Sequence, residues 1–512
     1  MILSSALAMA ALTSSSTTSP YAAREKDWRN GALVYQIFVD RFFAATPIEQ
    51  KANLYLSPKT RKVWTDLPKA GRLDSEIGSW THELEFWGGD LKGIEQKLDY
   101  VKSLNADVLY LTPIFAANTN HKYDTQNYFE IAPEFGTIGE FRSLLRSTHK
   151  QEMKLMLDGV FNHCGRTSPF FLEIYKDYKH PKRDWFNFGE EFPTGYRAWV
   201  GVPNLPAWNL ENREVRDYLW NNKDSVVRHW LKEGIDGWRL DVAFELGPDY
   251  LVELKKAAQS QKKGSAVIGE ISGYPTSWQG AVDGVFNFMA PNLIISACRG
   301  EMTGGKAGRL LNQMKEDAGI DHLLKSWLHL DNHDTPRIAS VLPKSEDRKL
   351  AWAALMTLPG SPVVYYGSEL GLPGAGDPAN RAPMDWTLVN DKNPDYTWFK
   401  QLSEFRTKHR ALKIGDFTVL ETDSLIAYTR TTDKLRDSVM VLINPTDKPV
   451  TETFTTRMGR ILSWGEFEDA WTKERFRSIT GMATVTLPAK SVRLFTPVTA
   501  PVGGVSMYDR IP

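Results

Sequence analysis

Cysteine is almost absent from this chain. Only Cys164 and Cys298 occur among 512 residues, so no disulfide framework holds the fold and a hydrophobic core must. No apolar run approaches the roughly 20 residues of a membrane span. Net charge is missing too. The 62 basic side chains balance 62 acidic ones, which leaves no bulk electrostatic attraction to nucleic acid or an anionic membrane. The stretch Gly88-Gly89-Asp90-Leu91-Lys92-Gly93 lacks the Gly-Lys-Ser/Thr ending of a phosphate loop. His82, His149 and His163 show no metal-ligand spacing.

What is abundant is aromatic. The 17 Trp and 18 Tyr offer flat faces that suit sugar rings, although any single Trp is by default a core residue. Ile2 to Thr13 is small and apolar and is followed by a Ser/Thr run ending at Pro20, so residues 1–22 read as an export leader. A secreted or periplasmic location follows from that reading.

From Leu33 to Glu369, β-type runs alternate with amphipathic helical runs. Strands are predicted at Leu33–Arg41, Val108–Pro113, Lys154–Phe161, Gly237–Val242, Ala266–Glu270, Gly284–Phe288, Trp327–Leu330 and Val363–Gly367. Helices are predicted at Ile94–Asn105, Glu140–Lys150, Glu214–Glu233, Pro248–Gln261, Glu346–Leu358 and Tyr396–His409. Eight such units fit an α/β fold of the closed (β/α)8 TIM-barrel type.

The rhythm breaks twice. After the third strand an aromatic, Pro-rich excursion runs from Cys164 to Glu211, too long to be a plain connection. Beyond Gly415 short alternating runs replace helices: Leu425–Arg430, Ser438–Ile443, Arg460–Leu462 and Thr484–Leu487. The expected division is a leader (1–22), a barrel (23–163 and 210–414), an inserted domain B (164–209) and a C-terminal antiparallel β-sandwich (415–512).

Catalytic groups of a parallel barrel sit at the C-terminal ends of its strands. Those ends carry Asp158, Asn162 and His163 on strand three, Arg239 and Asp241 on strand four, and Glu270 on strand five, while His333 and Asp334 follow strand seven. Arg239 and Asp241 are two apart and face the same side, so the cation keeps that carboxylate ionised, as a nucleophile requires. Glu270 ends an apolar strand away from that compensation and suits a general acid. Two carboxylates with separate roles are what glycoside cleavage needs. Each residue alone is more often a cap or a structural group; convergence of four strand ends on one face favours chemistry.

These motifs resemble the α-amylase family of glycoside hydrolases, family 13. Asp158-Gly159-Val160-Phe161-Asn162-His163 resembles its first conserved region, Gly237 to Ala243 the second, Ile268-Gly269-Glu270 the third and Leu330 to Asp334 the fourth. They occur in family order. His121-Lys122-Tyr123-Asp124-Thr125 is similar to the neopullulanase, cyclomaltodextrinase and maltogenic amylase branch.

The resemblance implies a retaining enzyme cleaving α-1,4-glucosidic bonds of maltooligosaccharides, cyclodextrins or starch. It implies Asp241 as nucleophile, Glu270 as acid/base and Asp334 as the third carboxylate. Arg239 would orient Asp241. His163, His333 and Tyr123 would hold the reacting sugar, and Asp377 with Arg381 the next one. Trp208, in a loose match to a fifth region, joins Trp185 and Trp199 as an expected cleft wall. The expected partner is therefore an α-glucan, with no nucleic acid and no membrane. A glucanotransferase on the same site is the near alternative, and a non-catalytic carbohydrate-binding relative the distant one.

The carboxylate chemistry calls for no cofactor. Structural Ca2+ is the one metal the family suggests, with Asn162 as its candidate ligand. Against it, Glu245 stands where a His is usual, and Phe43-Ala44-Ala45-Thr46-Pro47 replaces the Asp/Asn-rich calcium loop after the first strand.

Overall fold

The structure is a computed structural model, and it describes residues 19–500 and Tyr508. Eight parallel strands close into a barrel: β1 (Val34–Ile37), β2 (Val108–Leu111), β3 (Lys154–Gly159), β4 (Gly237–Leu240), β5 (Ala266–Gly269), β6 (Gly284–Asn287), β7 (Trp327–His329) and β8 (Ser361–Tyr365). Each strand pairs with its sequence neighbours, and β8 pairs with β1 through Val34↔Val363. The strands are short and buried on both faces, so they read as continuous apolar runs rather than alternating ones. Strand one ends before the predicted Arg41, because Val39–Phe42 turns helical.

Of the predicted helices, Pro248–Gln261 matches residue for residue, and Ile138–Lys150, Ser345–Thr357 and Pro394–Lys408 match within two residues at each end. The first is split into Leu91–Gln96 and Leu98–Ser103. The predicted Glu214–Glu233 helix is broken as well. Arg213–Arg216 widens into a π-turn over Asp217–Asn221, and a new helix starts at Val226. The polar run Asn221-Asn222-Lys223-Asp224-Ser225 lies at the break, with Ser225 N–H bonded to Asn222 O.

The insertion after β3 is built around aromatic packing. Phe186 and Trp208 stack with centroids 4.7 Å apart, and Phe170, Phe171, Trp185 and Tyr218 surround them. A second excursion, between β1 and the helix at Leu91, carries the hairpin Leu73–Asp74/Ser79–Trp80. The two excursions are joined where Asn204 Nδ2 donates to the buried Ser79 Oγ at 2.9 Å.

The C-terminal part is antiparallel: β9 (Asp416–Val419), β10 (Ile426–Thr431), β11 (Val439–Asn444), β12 (Val450–Thr455), β13 (Gly465–Asp469), β14 (Arg475–Ser478), β15 (Met482–Leu487) and β16 (Ser491–Pro497). Six form a sheet in the order β9-β10-β11-β16-β13-β14, and β12 pairs with β15 across it. The alternation along β11 shows why. Val439, Val441 and Ile443 join the core shared with the barrel helices, whereas Met440 and Leu442 face the sandwich interior. The predicted strand Arg460–Leu462 is a turn instead, closed by Ile461 N–H on Met458 O, with Ile461 packed on the sandwich core.

Two buried arginines lie near the seam, Arg406 on a barrel helix and Arg430 reaching across from the sheet. Arg406 donates to the carbonyls of Met356, Gly31 and Gly360, and Arg430 to those of Thr357, Leu412 and Gly415. Residues 1–18 of the expected leader lie outside the described residues. Its last residues belong to the folded body: Pro20–Lys26 is a helix, Tyr21 Oη donates to Asp416 at 2.5 Å, and Arg24 bridges Asp321 and Asp416. Among the described residues, no helix is long and apolar enough to cross a membrane. Both cysteines are free and buried.

Candidate active site

The parallel register of β3, β4 and β5 sets Arg239 beside Asp158 and Ile268. Its buried guanidinium is therefore the centre of the strand-end cluster. Nη1 donates to both oxygens of Asp158 at 2.9 Å and to Asp241 Oδ1 at 3.1 Å, while Nη2 pairs with Glu270 Oε2 at 2.8 Å. Glu270 Oε2 also accepts the Val242 N–H at 3.0 Å. To present that N–H, Val242 adopts φ 39°, a left-handed conformation costly for a β-branched residue. The expectation that Glu270 lies away from the cation is thus corrected: β4 and β5 are adjacent, and one guanidinium fork spans both strand ends.

Three carboxylates face one guanidinium. Burial raises the Asp241 carboxyl well above its usual range; Arg239 opposes this, and Glu270, Asp158 and Asp334 reinforce it. Two negative charges in excess of the cation favour keeping one proton in the group.

The remaining polar groups form an ordered relay. His333 Nε2 lies 2.5 Å from Tyr123 Oη and 3.1 Å from Asp334 Oδ2. Tyr123 spends its single proton on Asp158 Oδ2 at 2.9 Å, and burial keeps it a phenol. Burial, with Arg239 and Arg381 nearby, holds His333 neutral by pushing its pKa well below the usual value. Its one proton must then sit on Nε2, because Asp334 and Tyr123 there can only accept. Nδ1 is left as a lone pair and takes the Gln36 amide N–H at 2.9 Å. His163 is likewise neutral, pushed down to about 3 by burial. Its Nε2 is buried without a hydrogen-bond partner, and its ring lies against Trp199 at 5.8 Å.

Beyond Asp334, Arg381 Nη2 pairs with Asp334 Oδ1 at 3.2 Å and Nη1 with Asp377 Oδ1 at 3.1 Å. Burial alone would raise Asp377, but His82 and Arg381 hold it at about 2. Tyr123, His163, Asp241, Glu270, Asp334, Asp377 and Arg381 line one cleft of ≈ 630 Å³, walled by Leu73 and Trp80 on one excursion and by Trp199–Leu205 on the other.

The family model for the alpha amylase catalytic domain matches residues 36–438. The chain belongs to the alpha-amylase family. It is an α-amylase-type glycoside hydrolase. A neopullulanase of Thermoactinomyces vulgaris is 33% identical over 420 residues, 79% of this chain and 68% of that protein. A cyclomaltodextrinase of Geobacillus thermopakistaniensis is 33% identical over 443 residues, 82% and 69% of the two. Among solved structures, the cyclic α-maltosyl-(1→6)-maltose hydrolase of Arthrobacter globiformis aligns with TM-score 0.77 and 29% identity, covering 92% of this chain and 99% of that one. The type III pullulan hydrolase of Thermococcus kodakarensis aligns with TM-score 0.78 and 27% identity, covering 92% and 82%.

On this amylase-type barrel, Asp241, Glu270, Asp334, Tyr123, His163, Arg239, His333, Asp377 and Arg381 come together at one rim. Trp208 does not. It is 4% exposed, stacked inside the insertion, with its indole N–H on Tyr128 Oη, and it does not reach the cleft. Trp185 is buried too and donates to Glu214, so only Trp199 of the three expected wall residues lines the cleft. The backbone carbonyl of Asn162 accepts the backbone N–H of Trp208, and its side-chain amide nitrogen lies 3.5 Å from His163 Nδ1. Among the described residues, no three His, Cys, Asp or Glu side chains form a group fit to hold a metal ion.

Sequence reasoning missed Gln36, Leu73 and Trp80. Gln36 left a signal, a polar residue inside the apolar run Val34–Ile37 that must find a buried partner. The hairpin bearing Leu73 and Trp80 left none, since it carries no family motif.

Proposed function

We propose that the protein is a retaining α-glycosidase that hydrolyses α-1,4-glucosidic bonds by double displacement. The observation that carries this reading is the shared guanidinium of Arg239, which holds Asp241 and Glu270 side by side. One cation binding both carboxylates favours the roughly 5–5.5 Å separation of a retaining pair over the roughly 6.5–9.5 Å that admits a water between them.

In the first step the Glu270 carboxyl gives its proton to the glycosidic oxygen. The Asp241 carboxylate attacks the anomeric carbon as the bond to that oxygen breaks. In the second step Glu270 takes a proton from water, the resulting hydroxide forms its bond to the anomeric carbon, and the bond to Asp241 breaks. Asp334, 47% exposed at its side chain, hydrogen-bonded by the neutral His333 and charge-paired to Arg381, accepts hydroxyls of the reacting glucose. His163, which lines the same cleft, is assigned to the same sugar.

The substrates we assign are short α-glucans: maltooligosaccharides and cyclodextrins ahead of granular starch. A cleft walled on both sides suits a compact ligand more than a long polymer. The relatives named neopullulanase and cyclomaltodextrinase support the same class.

NMR during early turnover of maltoheptaose tests the mechanism. The first product is expected as the α-anomer, and an initial β-anomer refutes double displacement. Asp241→Asn and Glu270→Gln should each fold and lose several orders of magnitude in kcat. Comparing kcat/KM on maltoheptaose, β-cyclodextrin, pullulan and amylose tests the substrate class. Negligible rates on the first three beside a high rate on amylose would overturn it.

A further inference from the structure

The segment after the first barrel strand is where the family resemblance implies a calcium loop. The Lys51 ammonium leaves no room there for a metal ion, because it stands in the middle of the oxygens. Lys51, on the short turn Ile48–Leu54, projects its ammonium into a cradle drawn from two distant segments. Nζ donates to Gly88 O at 2.7 Å, to Asp90 Oδ2 at 3.1 Å and to Glu134 O at 3.2 Å. An ammonium has three protons, and here each has an oxygen. Two carbonyls and a carboxylate are the hard donors that calcium takes. Their distances exceed the roughly 2.3–2.6 Å of calcium–oxygen bonds and suit N–H···O contacts.

The cradle is a built one. The Asp90 and Lys51 side chains are 6% and 11% exposed. Asp90 also accepts the N–H groups of Ala45, Thr46 and Gly93, so one carboxylate gathers the loop after β1 and caps the helix Leu91–Gln96. The Glu134 side chain meanwhile takes the ammoniums of Lys59 and the fully buried Lys122. Lys122 precedes Tyr123, and its ammonium also bonds Ala117 O. The Lys51 hub therefore braces the platform from which Tyr123 enters the cleft. Without its cation, two carbonyls and a carboxylate would face one another with nothing between them, a costly arrangement at this burial.

We propose that the Lys51 ammonium is a built-in cation which occupies an oxygen cradle able to take a metal ion, and so replaces structural calcium at this place in the barrel. The protein supplies the cation of this cradle from its own chain.

Thermal unfolding of the full-length protein tests this. Wild type should unfold at the same temperature in EDTA and in millimolar CaCl2. Lys51→Ala, and Lys51→Gln as a second variant should the first fail to fold, should unfold several degrees lower in EDTA. Each should regain at least half of that loss in CaCl2 or in NH4Cl, by mass action on the vacated cradle. Tetramethylammonium chloride at matched ionic strength, too large for the cradle, should restore nothing. The proposal is overturned if EDTA lowers the wild-type temperature, if the soluble variants unfold like wild type, or if neither cation recovers the loss.

Discussion

Arg239→Lys keeps the charge at the centre of the site and removes the fork, which makes it the sharpest test of the geometry. The guanidinium reaches Asp158 and Asp241 through one nitrogen and Glu270 through the other, at 2.8–3.1 Å. A lysine ammonium is a single point on a flexible stem and can serve one or two of these carboxylates at a time. About two charge-assisted hydrogen bonds are lost, each worth roughly 1.5–3 kcal/mol, for a total of about 3–6 kcal/mol. Part of this appears as lowered stability, because buried carboxylates are left underpaired. The part that falls on the chemical step lowers kcat by up to roughly two to four orders of magnitude at about 1.36 kcal/mol per decade. Steady-state hydrolysis of a nitrophenyl maltooligosaccharide, beside thermal unfolding, separates the two. KM should change far less than kcat, because the fork positions reacting groups rather than binding remote sugars. A folded Arg239→Lys enzyme within about tenfold of the wild-type kcat would refute the reasoning.

Gln36→Leu should leave the barrel folded and strip His333 Nδ1 of its donor while Asp334 and Tyr123 still hold the proton on Nε2. Nitrogen NMR should show an Nε2–H imidazole in both wild type and variant, with kcat down about tenfold for one lost buried hydrogen bond; an Nδ1–H imidazole in wild type would contradict the relay. Asp236 sits below the barrel, where burial alone would raise its pKa, but His149, the Leu155 N–H and Lys262 hold it at about 2 against an ordinary 3.8. A depressed carboxylate contributes stability that is present above its unfolded pKa and is lost as pH falls through the folded one. Asp236→Asn should therefore cost about 2 kcal/mol at neutral pH, and in denaturant melts the gap should close between about pH 4 and pH 2; a gap independent of pH would refute it. Asn204→Ala should loosen the bond to Ser79 that joins the two cleft walls. It should raise kcat/KM on amylose relative to maltoheptaose, and an unchanged ratio would remove the walls from the specificity argument.

The barrel was legible because its strands are buried on both faces and so leave unbroken apolar runs in the chain. The strand ends were legible for a related reason: Asp158, Asp241 and Glu270 each interrupt or end such a run. What linear spacing hides is contact across strands. Arg239 and Asp241 are visibly two apart, but the reach of Arg239 to Glu270 depends on β4 lying beside β5 in one register. Trp208 misled for the opposite reason, since an indole beside a motif reads the same whether it faces a sugar or Phe186. The π-turn at Asp217–Asn221 kept the apolar spacing that had read as one helix. Lys51 looked like any surface lysine, because its partners are backbone carbonyls and a carboxylate far along the chain.

Arg406 and Arg430 give the boundary near Gly415 a particular character. Arg430 crosses the seam without meeting a carboxylate there, and both guanidiniums are spent on peptide carbonyls at the ends of barrel elements. Arg430 belongs to β10, so the sheet supplies the donors that finish the barrel's own backbone. A boundary of that kind divides the topology but not the thermodynamics. Cutting the chain there would strip the barrel of caps it cannot replace, and the two parts should melt in calorimetry as one cooperative unit. The sheet is in this sense the closing course of the barrel rather than an appendage to it.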